Sequence, residues 1–214
     1  MSESKEYYGH ERPELVALVS QDARRVLDLG CGEGAMSAAI KRDRAAQEIW
    51  GVEIVEAVAE KARNNPALDK VFCGDLEALV EELPDGHFSH IIAGDVLEHL
   101  VDPWTVLAKL RTKLEPEGLF ICSIPNIRNF SFIAKLVVKG RFEYKDSGVM
   151  DRTHLRFFAR KDVELLFTDA GFSNISVAPV RPKNSLGKKL ARAAFGDFVL
   201  KGFLVTASPA ASHP

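Results

Sequence analysis

The sequence contains few cysteines, no excess of one charge sign and no long hydrophobic run. Its three cysteines, Cys31, Cys73 and Cys122, are an odd number and lie far apart in apolar stretches. This pattern excludes a disulfide scaffold and predicts a reducing compartment. No apolar run approaches the roughly 18 residues of a membrane-spanning helix, and the N-terminus is polar with mixed charges. We therefore expect a cytoplasmic protein.

Charge and composition exclude further classes of protein. The 214 residues include 28 Lys and Arg and 30 Asp and Glu, a net charge of −2. Such a balance argues against nucleic acid as a partner. The hydrophobic content of 46% indicates a globular chain rather than a disordered one. Because no repeat or low-complexity linker divides the sequence, we predict a single domain over residues 1–214.

Short apolar runs alternate with stretches of helical period through most of the chain. Buried parallel strands are typically continuous apolar runs, so the alternation predicts an α/β fold with helices covering a parallel sheet. The predicted strands are residues 25–30, 48–53, 71–74, 90–94, 119–124, 175–180 and 203–207. The predicted helices are residues 13–20, 35–42, 55–64, 76–83, 103–114 and 161–170.

Two segments depart from this rhythm. Residues 125–158 form an insert after the fifth strand, where ligands bind in open α/β sheets, so we expect an active-site cover. The apolar run at residues 130–138 within it predicts a mobile cover. Residues 183–201 are rich in Lys and Arg and could form a basic amphipathic helix. A solvated helix explains that pattern, so we do not expect membrane contact.

The strongest motif is a glycine-rich turn after the first strand. Residues 26–34 read VLDLGCGEG, and their glycines let the backbone turn tightly and approach a ligand. The spacing also fits a relaxed dinucleotide fingerprint, with Glu53 as the ribose-binding acid. Asp28, however, interrupts the apolar strand, and a buried carboxylate needs hydrogen bonds or a positive charge. The ammonium group of a methionine moiety would supply that charge.

These features resemble motif I of class I S-adenosylmethionine-dependent methyltransferases. The resemblance continues through residues 51–54 (GVEI), 74–76 (GDL), 94–100 (GDVLEHL) and the turn at 116–118. It implies a Rossmann-like, seven-stranded, mostly parallel sheet with helices on both faces and an antiparallel last strand. It also implies S-adenosylmethionine as cofactor, with Glu53 at the ribose hydroxyls and Asp75 at the adenine amino group. The cofactor-binding residues that it implies are Asp28, Gly30, Cys31, Gly32, Gly34, Glu53, Ile54, Asp75, Leu76 and Asp95.

Methyl transfer to a hydroxyl requires alignment of the acceptor and removal of its proton. His99 follows the fourth strand, and residues 151–158 (DRTHLRFF) close the insert. In one interpretation His154 is the general base, oriented by Asp151, and Arg152 anchors the acceptor. In the other, this segment is only a structural latch, and His99 or Asp95 would take the proton.

The DRTHLRFF segment also resembles a subfamily found beside glycosyltransferases in polysaccharide and natural-product pathways. That resemblance implies a sugar or another small hydroxylated acceptor, with Tyr8, Asn126 and Tyr144 as further substrate-binding residues. The leading residues 1–12 match the same group, in which they can fold over the site as a lid.

Alternatives remain for the metal and for the activity. Asp95, Glu98 and His99 could combine as metal ligands, but helix capping explains them, so we predict no metal. A catalytically silent accessory protein that binds a partner and an NAD(P)-dependent oxidoreductase remain alternative functions. The oligomeric state and the regiochemistry stay open.

Overall fold

The computed structural model describes residues 9–180 and 195–211. The predictions for Tyr8, for most of the N-terminal lid and for most of the basic segment 183–201 lie outside these residues. Among the described helices, none is both long and apolar enough to cross a bilayer.

A seven-stranded sheet forms the centre of the fold. Its strands are β1 Arg25–Leu29, β2 Glu48–Glu53, β3 Lys70–Cys73, β4 Phe88–Gly94, β5 Leu114–Pro125, β6 Phe172–Pro179 and β7 Gly202–Pro209. They lie in the order β3-β2-β1-β4-β5-β7-β6. Strands β1 to β5 pair in parallel, whereas β7 runs antiparallel to both β5 and β6. The predicted Rossmann-like α/β fold with an antiparallel last strand is confirmed.

Helices cover both faces of this sheet. They are α1 Pro13–Val16, α2 Ala35–Arg44, α3 Glu56–Arg63, α4 Leu76–Leu79, α5 Pro103–Lys113, α6 Phe130–Lys139 and α7 Arg160–Asp169. Short 3-10 helices lie at Val80–Glu82, Leu97–His99 and Gly196–Val199. One hydrophobic cluster contains Leu15 of α1 and Ile40 of α2, and the other contains Leu107 of α5 and Phe167 of α7. Both faces are therefore buried, which leaves the carboxyl ends of the strands as the open edge.

Two predicted helices are shorter than their apolar pattern indicates. The helix expected over residues 13–20 ends at Val16, after which Leu18 and Val19 donate to carbonyl oxygens three residues back. The helix expected over residues 76–83 ends at Leu79 and continues as a 3-10 turn. Turns with hydrogen bonds between residues i and i+3 bury the same side of the chain as an α-helix. Hydrophobic periodicity therefore does not distinguish such turns from an α-helix.

Strand β5 begins earlier than predicted. Leu114 pairs with Phe88, and the next pair along the ladder is Leu119 with His90. Residues 115–118, which include the predicted turn at 116–118, therefore bulge out of the ladder.

The insert contains a helix, α6, that the sequence prediction did not include. Asn129 caps it by accepting a hydrogen bond from the Ser131 N–H at 3.1 Å, and Gly140 ends it at φ 59°. Its side chains Phe130, Val137 and Val138 are 65%, 75% and 80% exposed. An apolar surface of this kind fits the expected cover, and its mobility stays a prediction.

Candidate active site

The glycine turn between β1 and α2 builds the first wall of the site. Gly30, Gly32 and Gly34 all have positive φ, at 65°, 57° and 84°. A side chain at Gly30 would meet Val96 at 3.0 Å, so the turn requires glycine there for space as well as for conformation. The Gly30 and Cys31 N–H groups both donate to the Val52 carbonyl of β2, which fixes the turn against the sheet.

Glu53, at the end of β2, is bound to this turn. Its Oε2 accepts the Gly32 N–H at 3.0 Å, and its Oε1 accepts the Val55 N–H at 2.9 Å. The carboxylate is only 5% exposed as a residue, yet it lines the cleft described below. Asp75 follows β3 and caps α4 through the Glu77 N–H at 2.9 Å. The two acids thus lie at the carboxyl ends of neighbouring strands, at the open edge of the sheet.

Asp28 lies beneath the turn, completely buried. The Ser37 hydroxyl donates to its Oδ2 at 2.6 Å, while no described residue donates to its Oδ1. Burial, opposed by the Ser37 hydrogen bond and aided by the charge of Glu53, raises the pKa of Asp28 to about 7. No cation contacts it within the described chain, so its expected positive charge would have to come from a ligand.

Asp95, at the end of β4, anchors the second wall. It has a left-handed backbone at φ 56°. Its Oδ2 accepts from the Arg12 guanidinium at 2.8 Å, and its Oδ1 accepts from the Ser123 hydroxyl at 2.7 Å. Arg12 also donates to the Ser123 oxygen at 2.8 Å, so α1, β4 and β5 meet in one network. Neither Arg12 nor Ser123 is among the site residues predicted from the sequence.

Beside this network, Glu98, His99 and His154 form a group that we call the histidine cluster. Glu98 is 1% exposed, and neither of its carboxylate oxygens accepts a hydrogen bond from any described residue. His154 Nε2 lies 3.9 Å from Glu98 Oε1, and the two imidazole rings are nearly perpendicular with centroids 4.7 Å apart. Burial, together with the nearby charge of Asp95, raises the pKa of Glu98. Burial and the neighbouring His154 lower the pKa of His99.

The DRTHLRFF segment, which supplies His154 to this cluster, lies on the body of the protein against Glu98 and His99. The Leu155 and Arg156 N–H groups both donate to the Glu98 carbonyl, at 2.9 and 3.0 Å. His99 Nδ1 contacts the Thr153 carbonyl at 3.2 Å, and His154 Nδ1 contacts the Val149 carbonyl at 3.1 Å. Backbone contacts therefore hold the segment and both imidazole rings in place.

Asp151 and Arg152 have partners other than those expected. The Asp151 carboxylate accepts from the Thr153 N–H at 2.9 Å and from its hydroxyl at 2.7 Å. Burial opposes ionisation of Asp151, but these two hydrogen bonds, together with the neighbouring His154 and His99, lower its pKa. The ring of His154 is thus oriented by the Val149 carbonyl and not by the Asp151 side chain, a correction to the expected pairing. Arg152 forms an ion pair with Asp146 at 2.6 Å.

A cleft of about 890 Å³ joins these two walls. His10 and Arg12, from the chain before β1, line it together with Thr153 of the insert. Its lining includes most of the predicted site residues, namely Gly30, Cys31, Gly32, Glu53, Ile54, Asp75, Leu76, Asp95, His99, Asp151 and Arg152.

Of the predicted site residues that the structure describes, five lie outside that lining. Asp28 is beneath the glycine turn, and Gly34 precedes α2 and faces Asn65 and Leu68. His154 is 8% exposed and lies behind the cleft wall in the histidine cluster. The last two are Asn126 and Tyr144.

Asn126 and Tyr144 have structural contacts. Asn126 is completely buried, and its amide donates to the Asp197 and Leu200 carbonyl oxygens before β7. Tyr144 is half exposed and packs on the Phe142 ring. Their substrate-binding roles stay predictions that would need the insert to move.

Comparisons with known proteins agree with this architecture. A family model described as a methyltransferase domain matches residues 3–177. The ubiquinone biosynthesis O-methyltransferase of Neisseria meningitidis serogroup C is 28% identical over 135 residues, 57% of this chain and 56% of that protein. The malonyl-(acyl-carrier protein) O-methyltransferase of Geobacter sulfurreducens is 28% identical over 156 residues, 72% of this chain and 57% of that protein.

The chain therefore spans a little over half the length of the curated relatives it matches. A crystal structure of an S-adenosylmethionine-dependent methyltransferase from Archaeoglobus fulgidus superimposes with a TM-score of 0.66 at 16% identity. That superposition covers 95% of this chain and 96% of the other. The chain belongs to the methyltransferase-domain family and has the fold of S-adenosylmethionine-dependent methyltransferases.

Proposed function

We propose that the protein binds S-adenosylmethionine and transfers its methyl group to a hydroxyl of a small polar acceptor, such as a sugar. The observation that carries this proposal is a cleft that joins a glycine-and-acid wall to a polar wall containing an imidazole. O-methyltransferases among the relatives support an oxygen acceptor. The three free cysteines support the cytoplasmic location that we include in the proposal.

The first wall fits the methyl donor. Its glycines present backbone without side chains, which allows the close approach that a nucleotide ligand needs. Each oxygen of Glu53 already accepts one N–H and keeps a second acceptor site for a ribose hydroxyl. Asp75 is exposed for an amino group, and Ile54, which is 67% exposed, offers an apolar surface for the adenine ring.

The orphan carboxylate oxygen of Asp28 is a second sign of fit. A fully buried acceptor without a donor is costly, and a nearby positive charge or an ordered water reduces that cost. The amino acid part of the donor carries an ammonium group. The Asp28 side chain does not line the cleft. Its negative charge would therefore attract the ammonium group across the glycine turn, without direct contact.

The second wall fits the acceptor. S-adenosylmethionine supplies an electrophilic methyl group on a sulfonium, and its displacement requires the acceptor oxygen in line. Arg152 and Asp151 provide charged and hydrogen-bonding groups for a polar acceptor, and Arg152 is the more exposed of the two. As the new C–O bond forms and the C–S bond breaks, the acceptor loses its proton towards the histidine cluster, where His99 lines the cleft.

Incubation with radiolabelled donor and a panel of sugars and other hydroxylated acceptors tests the proposal. Calorimetry with S-adenosylmethionine and with NAD(H) separates the three candidate activities. Donor binding and turnover support methyl transfer, donor binding without turnover on any acceptor supports an accessory protein, and binding of NAD(H) alone supports an oxidoreductase.

The role of the histidine cluster is tested by His154→Gln. Glutamine keeps a hydrogen-bonding side chain but does not accept a proton at neutral pH, so turnover should fall by roughly 10²–10⁴-fold with unchanged donor affinity. His87→Gln is the matched control. His87 directly precedes β4, at the end of that strand opposite to the cleft, and its ring packs against Trp50. If the His154 variant keeps near-full turnover, His154 is not the base and the DRTHLRFF segment is only a structural latch.

A further inference from the structure

We propose that Glu98, His99 and His154 bind a divalent first-row transition cation such as Zn²⁺ or Mn²⁺. The proposal rests on the proposed function for what the cation does, but not for whether it binds. It replaces our sequence-based expectation of a metal-free site, which assigned these residues to helix capping. The 3-10 turn Leu97–His99 has no side-chain cap, so capping does not occupy Glu98 or His99.

The three side chains converge on one point. One ligand atom from each residue lies within 4.8 Å of the others, and the site combines two imidazoles with one carboxylate. An ion at their centre would lie about 2.8 Å or less from each atom, against bonds of ~2.0–2.2 Å in zinc sites. Small side-chain rotations close that difference. Imidazole ligands favour first-row transition cations over Mg²⁺ and Ca²⁺, which prefer oxygen ligands.

Both imidazoles have the tautomer that metal ligation needs. A carbonyl oxygen only accepts, so the contacts to the Thr153 and Val149 carbonyls require a proton on Nδ1 of each ring. Neutral rings of this kind carry a lone pair on Nε2. Metal-ligating histidines are typically held in the same way, with the other ring nitrogen donating to a backbone carbonyl or a carboxylate.

Glu98 is the second, independent sign of a cation. Its carboxylate is almost completely buried and faces the imidazoles, yet none of the described residues donates a hydrogen bond to either oxygen. The nearby Arg12 is committed elsewhere, since its guanidinium is bound to Asp95, Ser123 and Glu14. A divalent ion would satisfy this carboxylate, which is otherwise a costly buried group.

The location gives the cation a role in the proposed reaction. His99 lines the cleft, so an ion on its Nε2 would be next to the acceptor. Three protein ligands leave a coordination position open, as in catalytic metal sites, and an acceptor hydroxyl in that position becomes more acidic. With the cation bound, the imidazole lone pairs are occupied, so the hydroxyl proton passes to water and not to the histidine cluster. The oxygen then takes the methyl group, S-adenosylhomocysteine leaves, and the metal keeps its oxidation state.

Metal binding can be measured without turnover. Tag-free protein, stripped with a chelator, is titrated with Zn²⁺, Mn²⁺ or Co²⁺ by calorimetry, and retained metal is counted by mass spectrometry after gel filtration. Co²⁺ also reports its ligands through visible absorption. We expect one ion per chain, and Glu98→Gln and His99→Asn should each weaken its affinity by about 100-fold or more. His87→Gln should bind as the wild type does.

The outcomes separate the metal site from the proposed function. His99 is partly exposed, so His99→Asn remains informative if the buried Glu98 variant fails to fold, which circular dichroism detects. Absence of bound ion, or wild-type affinity in a folded His99→Asn variant, overturns the site. Donor affinity of the stripped protein is measured in parallel. If the donor binds and methyl transfer proceeds equally without metal, the methyltransferase proposal stands and the catalytic role of the cation is overturned.

Discussion

Replacement of Asp28 by asparagine should change how the stability of the ligand-free protein depends on pH. In the folded protein the pKa of Asp28 is about 7, because the group is completely buried, whereas an unfolded aspartate has a pKa near 3.9. The folded state therefore binds this proton more tightly than the unfolded state. The contribution of Asp28 to stability is greatest below about pH 4, falls as the pH rises towards 7, and is lost above it.

The size of the effect follows from the shift in pKa. Three pKa units at about 1.36 kcal/mol each correspond to ~4 kcal/mol over the full range, and about 2–3 kcal/mol of that falls between pH 5 and pH 8. Asparagine does not titrate, so the Asp28→Asn variant lacks this loss of stability. Its free energy of unfolding, relative to that of the wild type, should therefore rise by about 2–3 kcal/mol from pH 5 to pH 8. Its new buried amide adds a cost that does not change with pH, so the slope is the informative quantity.

Urea unfolding of both proteins at pH 5, 6, 7 and 8 measures this slope. The matched control is Glu60→Gln, which makes the same change of charge at an exposed carboxylate on α3. If the difference between Asp28→Asn and the wild type is constant from pH 5 to pH 8, Asp28 is already ionised in the folded protein and the argument from burial is wrong.

Two further predictions concern the ligands. Glu53→Ala and Asp28→Ala should each weaken calorimetric binding of S-adenosylmethionine by about ten- to a hundredfold, equivalent to 1.5–3 kcal/mol, without unfolding the protein. Unchanged affinity in both variants would contradict the assignment of Asp28 and Glu53 to the S-adenosylmethionine site. Hydrogen exchange of residues 126–150 should slow when donor and acceptor are bound, since the insert would close over them. Equal protection with and without ligand would identify the insert as fixed scaffold.

The parts of the fold that were predictable are those in which one local property determines the structure. The continuous apolar runs of β1, β2 and β4 reveal buried parallel strands, and acids at the ends of strands, such as Glu53, are brought to the open edge of the sheet. Helix α6 could also have been found, because Asn129 and Gly140 are the usual start and stop residues. The apolar composition of residues 130–138 between them led to the prediction of a cover and not of a helix.

The parts that could not be predicted depend on distant contacts. The ring of His154 is oriented by a carbonyl in the same loop, and its Nε2 faces a glutamate on another segment. The expected orientation of His154 by Asp151, three residues earlier, requires both on one helical turn, but this segment is not helical. Glu98 looked like an ordinary residue of a helix start, because its burial without a hydrogen-bond donor is visible only after the insert is folded over it.

The network of Arg12 has a consequence for how the chain assembles during synthesis. Its partners Asp95 and Ser123 lie 83 and 111 residues further along the chain. The guanidinium therefore leaves the ribosome long before the groups that bind it, and closing such long loops is slow. The cleft wall at the end of β4 is completed only after β5 has joined the sheet, so the acceptor side of the cleft is among the last parts of the nascent protein to form.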